Sequence, residues 1–458
     1  MKHRIKLPFE DIFNEASLLP EIRRSIYFIT LANIFGSFWG VVCNTGSATL
    51  TGFAGYLGAG DFVFGILTAI PLAAAFLQIP FSSIVSRTQK RKKYLLTYGL
   101  ISRLIWIVVA FIPYFLPAGP AWLRLWTVIS LVGISWSLGS FINVSWMPWM
   151  ADLVPIEIRG RWLSGRDRFT AVASVTMGLL VSAILDRTSG YTGYTIALIM
   201  GGIFGALDMI SFGFAKEVYK TPPLQLKMLP VFKKIIRDKE FFRFTVFWTA
   251  WNFTANIGGA YLARYALTEM SLSYIEFTLS SQVASALVTV TVISLWGKLL
   301  DRYGSKTVMW LSCVITAMTP LFYLLSVPGS IWPTLLHNCI GAAFWSGCNL
   351  AATSLQLSAS PDTERPTYIA FFSCVTSVAG SFLGILTGGA LLEGIGSSSL
   401  LSPLFPDRYK AVITISVLLR LCSVFIFVPK LQNYSNHTVV EVFNDFFNKL
   451  KVKIKRAE

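Results

Sequence analysis

Gly297-Lys298-Leu299-Leu300-Asp301-Arg302-Tyr303-Gly304-Ser305-Lys306 lies between two long apolar runs, at about 274–299 and 307–327. A helix needs ~20 apolar residues to cross the hydrocarbon core of a bilayer, and each run has that length. The stretch is therefore a tight, charged turn joining two membrane spans.

Composition extends that reading to the whole chain. Of its 458 residues, 54% are hydrophobic and only 14% are charged, with a mean hydropathy of +0.61. Soluble domains carry about 25% charged residues, so the chain is an all-α, polytopic membrane protein. Apolar runs fall at about 25–50, 60–83, 93–116, 121–150, 163–186 and 191–215, then at 243–267, 274–299, 307–327, 331–357, 366–392 and 408–428. The expected organisation is thus an amphipathic segment at 1–24, a helix bundle at 25–215, a basic loop at 216–242, a second bundle at 243–428 and a basic amphipathic tail at 429–458. The tail ends in Lys449, Lys451, Lys453, Lys455 and Arg456, which suits anionic lipid headgroups. Cys43, Cys313, Cys339, Cys348, Cys374 and Cys422 all sit in apolar runs without a CxxC pair, as small core residues do. His3, His337 and His437 are too far apart in sequence to supply clustered metal ligands.

Charge placement sets the orientation. Every Lys and Arg except Arg103, Arg124, Arg187, Arg264, Arg408, Lys410 and Arg420 falls on one side if the N-terminus is cytoplasmic. Retention of positive charge on the inside then puts both termini in the cytoplasm. It also accounts for the net charge of +16 without nucleic acid.

The two halves repeat each other. An offset of 206 takes Pro155 to Pro361, Arg159 to Arg365 and Asn143 to Asn349. An offset of 219 takes Arg24 to Arg243, Phe28 to Phe247, Asn33 to Asn252 and Gly40 to Gly259. An offset of 214 carries Ser83, Arg91 and Lys92 onto Gly297, Ser305 and Lys306. The pattern G-x-L-x-D-R-x-G-x-K at a turn between spans, repeated halves and a basic loop midway together resemble the major facilitator superfamily over about residues 20–430. The resemblance implies twelve transmembrane helices in two pseudo-symmetric six-helix bundles. It implies a secondary transporter that moves a small organic solute by alternating access, as a monomer in the cytoplasmic membrane, with a proton or sodium ion for coupling and no cofactor. Uptake and efflux stay open. The alternative of another class is a non-transporting receptor or sensor with the same fold; a membrane enzyme lacks a nucleophile–base or metal constellation.

The resemblance also assigns gating roles to Gly297, Asp301, Arg302 and Gly304. In the first copy of the turn, Arg87 replaces the usual acid and Lys90 the second glycine. Arg87 or Arg91 is then expected to meet Asp362 or Glu364 at the start of span 11, and Asp301 to face Arg159 and its basic neighbours. Solvated loop charges held inside by topology are the competing reading.

In the family, spans 1, 4, 7 and 10 line the solute path. Here Asn33, Asn143, Asn252 and Asn349 each lie about nine residues, or ~14 Å, from a cytoplasmic helix end. Asn338, Trp345, Asn349, Thr353 and Gln356 form a stripe on span 10, and Asn33 with Ser37 and Asn252 with Asn256 continue the pattern on spans 1 and 7. Amides in an apolar medium need partners, so these either line a hydrated cavity or bond between helices. The candidate cavity residues are Asn33, Ser37, Asn143, Asn252, Asn256, Trp345, Asn349 and His337, the last able to titrate near neutral pH. Arg103 in span 3 and Asp208 in span 6 reach similar depth and should form a buried structural ion pair. Arg420 in span 12 has no equivalent acid in span 9.

Overall fold

The computed structural model describes residues 20–88, 90–116, 120–218, 234–361, 365–398, 403 and 405–431, and contains no strand among them. The chain separates into two compact units, Met1–Leu226 with Ser273–Thr278 and Lys227–Leu272 with Leu279–Glu458. The first contains α1 (Pro20–Cys43), α2 (Ala48–Tyr56), α3 (Asp61–Ala74), α4 (Gln78–Thr88), α5 (Arg91–Phe115), α6 (Ala121–Leu153), α7 (Ile156–Arg187) and α8 (Thr192–Gly213). The second contains α9 (Lys239–Gly259) and α10 (Leu262–Thr268). The short α11 (Tyr274–Thr278) returns to the first unit. The second unit continues with α12 (Ala284–Tyr303), α13 (Ser305–Met318), α14 (Trp332–Ala359), α15 (Arg365–Val375), α16 (Leu383–Ser397) and α17 (Arg408–Phe427).

Nine helical stretches among the described residues are long and apolar enough to cross a membrane. They match nine of the expected spans; the other three are spans 2, 7 and 10. Span 2 is α3 followed by a 3-10 turn at Ala75–Leu77 and by α4, with Pro71 inside α3. A proline withholds one N–H from the ladder. Span 7 divides at the end of α9, and its first turn carries Lys239 and Glu240. Span 10 is α14, 28 residues long and free of Asp, Glu, Lys and Arg. Its length would suffice to cross, so amides, hydroxyls and His337 are what lower its hydropathy. Away from the cores, exposed side chains are largely apolar: Leu287, Val290 and Leu295 on α12, Val172 on α7 and Leu418 on α17. Such a surface suits lipid.

Span 8 departs from the expected continuous helix. A π-helical turn at Leu279–Val283 separates α11 from α12. In the first unit Asp186 accepts the N–H groups of Tyr274 (2.8 Å) and Ile275 (2.9 Å), and Tyr274 shares a 2.7 Å hydrogen bond with Tyr194. Span 1 also ends earlier than expected, at Cys43, and α2 restarts where Ser47 Oγ accepts Leu50 N–H at 3.1 Å. That bond satisfies one orphan donor at the new helix start.

The charged turn at 297–306 is built as a helix hairpin. α12 ends at Tyr303 and α13 begins at Ser305, with Gly304 between them at φ 78° and ψ 166°. Side chains other than hydrogen rarely tolerate that backbone, which accounts for the glycine. Lys306 Nζ donates to Pro429 O (2.8 Å) and Leu431 O (2.7 Å), the carbonyls past the end of α17. In the other half Lys92 Nζ donates to Ala215 O at 2.7 Å, past the end of α8. The offset of 214 that relates the two lysines also carries Ala215 onto Pro429, so the repeat extends to its hydrogen bonds.

Most of the expected surface segment at 1–24 and the tail from 432, with its apolar face at 438–450, lie outside the described residues, as do Asp362 and Glu364.

Candidate functional site

Helices α9, α12, α13, α14 and α17 of the second unit line an open cavity of about 800 Å³. α14 supplies one continuous face of it: His337, Asn338, Gly341, Trp345, Asn349 and Thr353. Steps of three and four residues stack on one side of a helix, so this face follows from the stripe in the sequence. α9 adds Asn256 and Gly259, α12 adds Ser285 and Thr289, Thr316 and Thr319 come from span 9, and α17 adds Arg420. Trp345 stacks on the fully buried Trp251 with ring centroids 5.9 Å apart, which fixes it against the core of the unit.

The amides have a common local geometry. Asn256 Nδ2 donates to Asn252 O (2.8 Å) and Asn338 Nδ2 to Thr334 O (2.8 Å), each four residues back in its own helix. Asn33 and Asn252 do the same, to Ile29 O (2.7 Å) and Trp248 O (2.8 Å). None of these side chains bonds to a neighbouring helix among the described residues. A primary amide has two N–H donors and a carbonyl acceptor, so each cavity amide keeps acceptor and donor capacity after its back-bond.

The structure brings together four of the eight cavity candidates: Asn256, His337, Trp345 and Asn349. Asn252 does not join them. A Cβ added at Gly380, in the π-helical turn Thr376–Phe382, would lie 3.0 Å from Asn252 Cβ, so Asn252 packs between spans 7 and 11. Asn33 and Ser37 are half-buried on α1 of the first unit, where Ser37 Oγ donates to Ile34 O at 2.7 Å, and Asn143 is exposed on α6. The hydroxyls of spans 8 and 9 are not among the residues that sequence reasoning singles out, although Ser285 and Thr289 have helical spacing. Arg420 is marked there only by its lack of a partner.

Two of the gating candidates, Arg91 and Arg159, have partners within the first unit. Arg91 Nη1 bonds Asp152 Oδ2 at 2.6 Å, with both side chains buried. Arg159 Nη2 donates to Ala151 O (2.7 Å) and Val154 O (3.0 Å), closing the C-terminal end of α6. Arg87, Asp301 and Arg302 are exposed, and no ion pair to Asp301 occurs among the described residues. Gly297 lies within α12, where an added Cβ would meet nothing within 4 Å, unlike the conformationally demanding Gly304. Arg103 Nη2 lies 3.4 Å from Asp208 Oδ2, both buried, with the guanidinium 3.5 Å from the centroid of Trp39. No group of three His, Cys, Asp or Glu residues placed to hold a metal occurs among the described residues.

No curated protein matches the chain. Solved structures similar to it include a mutant of the nucleoside transporter NupG, 16% identical, with 88% of this chain and 100% of that one covered at a TM-score of 0.67. A bacterial homologue of the human lysosomal transporter Spinster is 13% identical, with 92% and 100% covered and a TM-score of 0.67. The xylose transporter XylE from E. coli is 17% identical, with 92% and 99% covered and a TM-score of 0.62. At such identities the likeness shows a shared fold. The sequence model of the Major Facilitator Superfamily matches residues 26–385, most of the chain. The chain belongs to the major facilitator superfamily.

Proposed function

We propose that this protein is a secondary transporter that moves a small organic solute across the cytoplasmic membrane by alternating access, and that the second-unit cavity is part of its solute site. The observation that carries this reading is the polar face of α14 and α9. It borders an open cavity of about 800 Å³ in a helical unit that exposes many large apolar side chains. Ligand sites have volumes of this order, with a few polar groups setting orientation. Two of the structural neighbours are described as nucleoside and xylose transporters. Solutes rich in hydrogen-bonding groups suit a lining of amides and hydroxyls.

The test uses purified protein and a solute panel read by thermal stabilisation, because a ligand that binds only the folded state raises apparent stability. Asn256→Ala and Asn349→Ala are expected to weaken binding about five- to ten-fold each, as for the loss of a hydrogen bond worth ~1–1.5 kcal/mol, while the ligand-free Tm changes little. Unchanged affinity in both variants would remove the cavity from the solute site. Counterflow of the bound solute in proteoliposomes then separates transporter from receptor, since a receptor binds without exchange. Imposed proton and sodium gradients identify the coupling ion in the same vesicles.

A further inference from the structure

Arg420 is the one lining residue of the cavity, among the described residues, that carries a fixed charge. It lies about 18 Å from the start of α17 by helical rise, is 5% exposed, and has no carboxylate within ion-pairing distance among the described residues. Its guanidinium makes a single hydrogen bond there, from Nη2 to Ala255 O at 2.6 Å, and Nε is buried without a partner. Nη2 approaches α9 at Gly259, where an added Cβ would sit 3.4 Å away, an ordinary contact distance. The bond to Ala255 holds the group beside Asn256, a lining residue itself. His337, another lining residue, also has a buried Nδ1 without a hydrogen-bond partner.

Charged side chains at membrane depth are ordinarily paired, and an unpaired one that borders a cavity marks a functional site. From this geometry we infer that Arg420 is an anion-binding group and that the solute is an organic monocarboxylate with a hydroxylated body. This rests on the transporter reading above and names its substrate class. The charge count selects the class. With one fixed cation and no Asp or Glu among the described lining residues of the second unit, a carboxylate leaves this part of the solute site neutral. A phosphate monoester dianion would leave a net negative charge in a medium of low dielectric, and an amino acid would leave its ammonium group without a counter-ion. The planar fork of a guanidinium matches a carboxylate in two parallel hydrogen bonds, and Arg420 keeps the donors for this. Asn256, Asn338, Asn349 and Thr353 are then partners for hydroxyls, and Trp345 offers a flat face to the carbon skeleton.

The experiment has two arms on the full-length protein in detergent. The first measures thermal stabilisation by pairs that share a skeleton: gluconate and glucose, glucuronate and glucuronamide, lactate and lactamide. At least one carboxylate is expected to raise the Tm while its neutral partner does not, and Arg420→Gln should weaken that binding at least about thirty-fold, with Arg420→Lys retaining part of it. The second arm compares ligand-free variants. Arg420→Leu removes an uncompensated charge and is expected to leave the Tm at or above wild type, whereas Arg103→Leu should lower it. Stabilisation by neutral partners equal to that by carboxylates, or full binding in Arg420→Gln, overturns the anion site and leaves the transporter reading in place. A Tm loss in Arg420→Leu as large as in Arg103→Leu makes Arg420 structural. If no member of these pairs binds while another solute of the wider panel does, the substrate class falls and the transporter reading stands.

Discussion

Arg103 is the paired counterpart to Arg420. It too is deep in a helix and nearly inaccessible, yet its Nη2 lies 3.4 Å from Asp208 and its guanidinium covers the Trp39 ring at 3.5 Å. Asp208 has room there because Gly36 faces it; an added Cβ would come 2.9 Å from Asp208 Oδ2. Removing one partner of such a pair strands the other charge in an apolar core, which costs about 3–5 kcal/mol. Replacing both by residues of similar bulk removes the desolvation penalty along with the attraction. Arg103→Leu and Asp208→Leu should therefore each lower the Tm in detergent clearly, and the double variant should recover much of the loss. If the double variant is no more stable than the worse single one, the pair contributes no coupling. If the single variants keep their Tm but lose transport driven by a pH gradient, Asp208 carries protons instead.

At the scale of elements, the contact between spans 7 and 11 is made by glycines approaching backbone. A Cβ at Gly384 would lie 2.4 Å from Phe253 O, and one at Gly388 2.1 Å from Ile257 O. A carbonyl inside a helix cannot swing aside as a flexible side chain does, so the two helices would have to separate. Gly388→Ala is expected to destabilise the second unit by about 1–3 kcal/mol, the usual range for overpacking. Gly133→Ala on α6, where an added Cβ meets nothing within 4 Å, should be neutral or slightly stabilising. Parallel thermal melts of the two variants check this, and equal melts would mean that the span 7–11 contact yields easily. The four-residue spacing of Gly380, Gly384 and Gly388 puts them on one helix face, and the face of α14 is legible because its polar residues recur at helical spacing. The breaks are not. Nothing in Leu279–Val283 or Thr376–Phe382 announces a π-helical turn, because such turns depend on what neighbouring helices press against them. Asn252 departs from expectation for a related reason. Depth in a helix can be counted from sequence, but the side that faces Gly380 rather than the cavity is set by the packing of another helix.

For the whole molecule, the charge asymmetry and the repeat make one joint statement about topology. Lys92 and Lys306 occupy equivalent places, each tied to the carbonyls that follow the last helix of its half. Equivalent hydrogen bonds at the same offset require the 2–3 and 8–9 turns to lie at corresponding ends of the two helix sets. Both turns carry dense positive charge: Arg87, Lys90, Arg91, Lys92 and Lys93 in one, Lys298, Arg302 and Lys306 in the other. Cationic loops of this length are retained on the cytoplasmic side. The opposite helix ends carry exposed Tyr114, Trp122 and Trp332, amphipathic rings of the kind that settle at headgroup level. With an even number of crossings in each half, we expect both termini in the cytoplasm, where the Lys and Arg of the tail also favour retention. We expect green fluorescent protein fused after Glu458 to fluoresce in a bacterial host. Alkaline phosphatase should be inactive when fused in the 2–3 turn or the 8–9 turn and active when fused between α5 and α6 or between α7 and α8. Phosphatase activity at the 8–9 turn alone would break the parallel repeat while keeping the first half. Activity at both charged turns would invert the protein and place the positive charge outside, against the retention of cationic loops on the inner face.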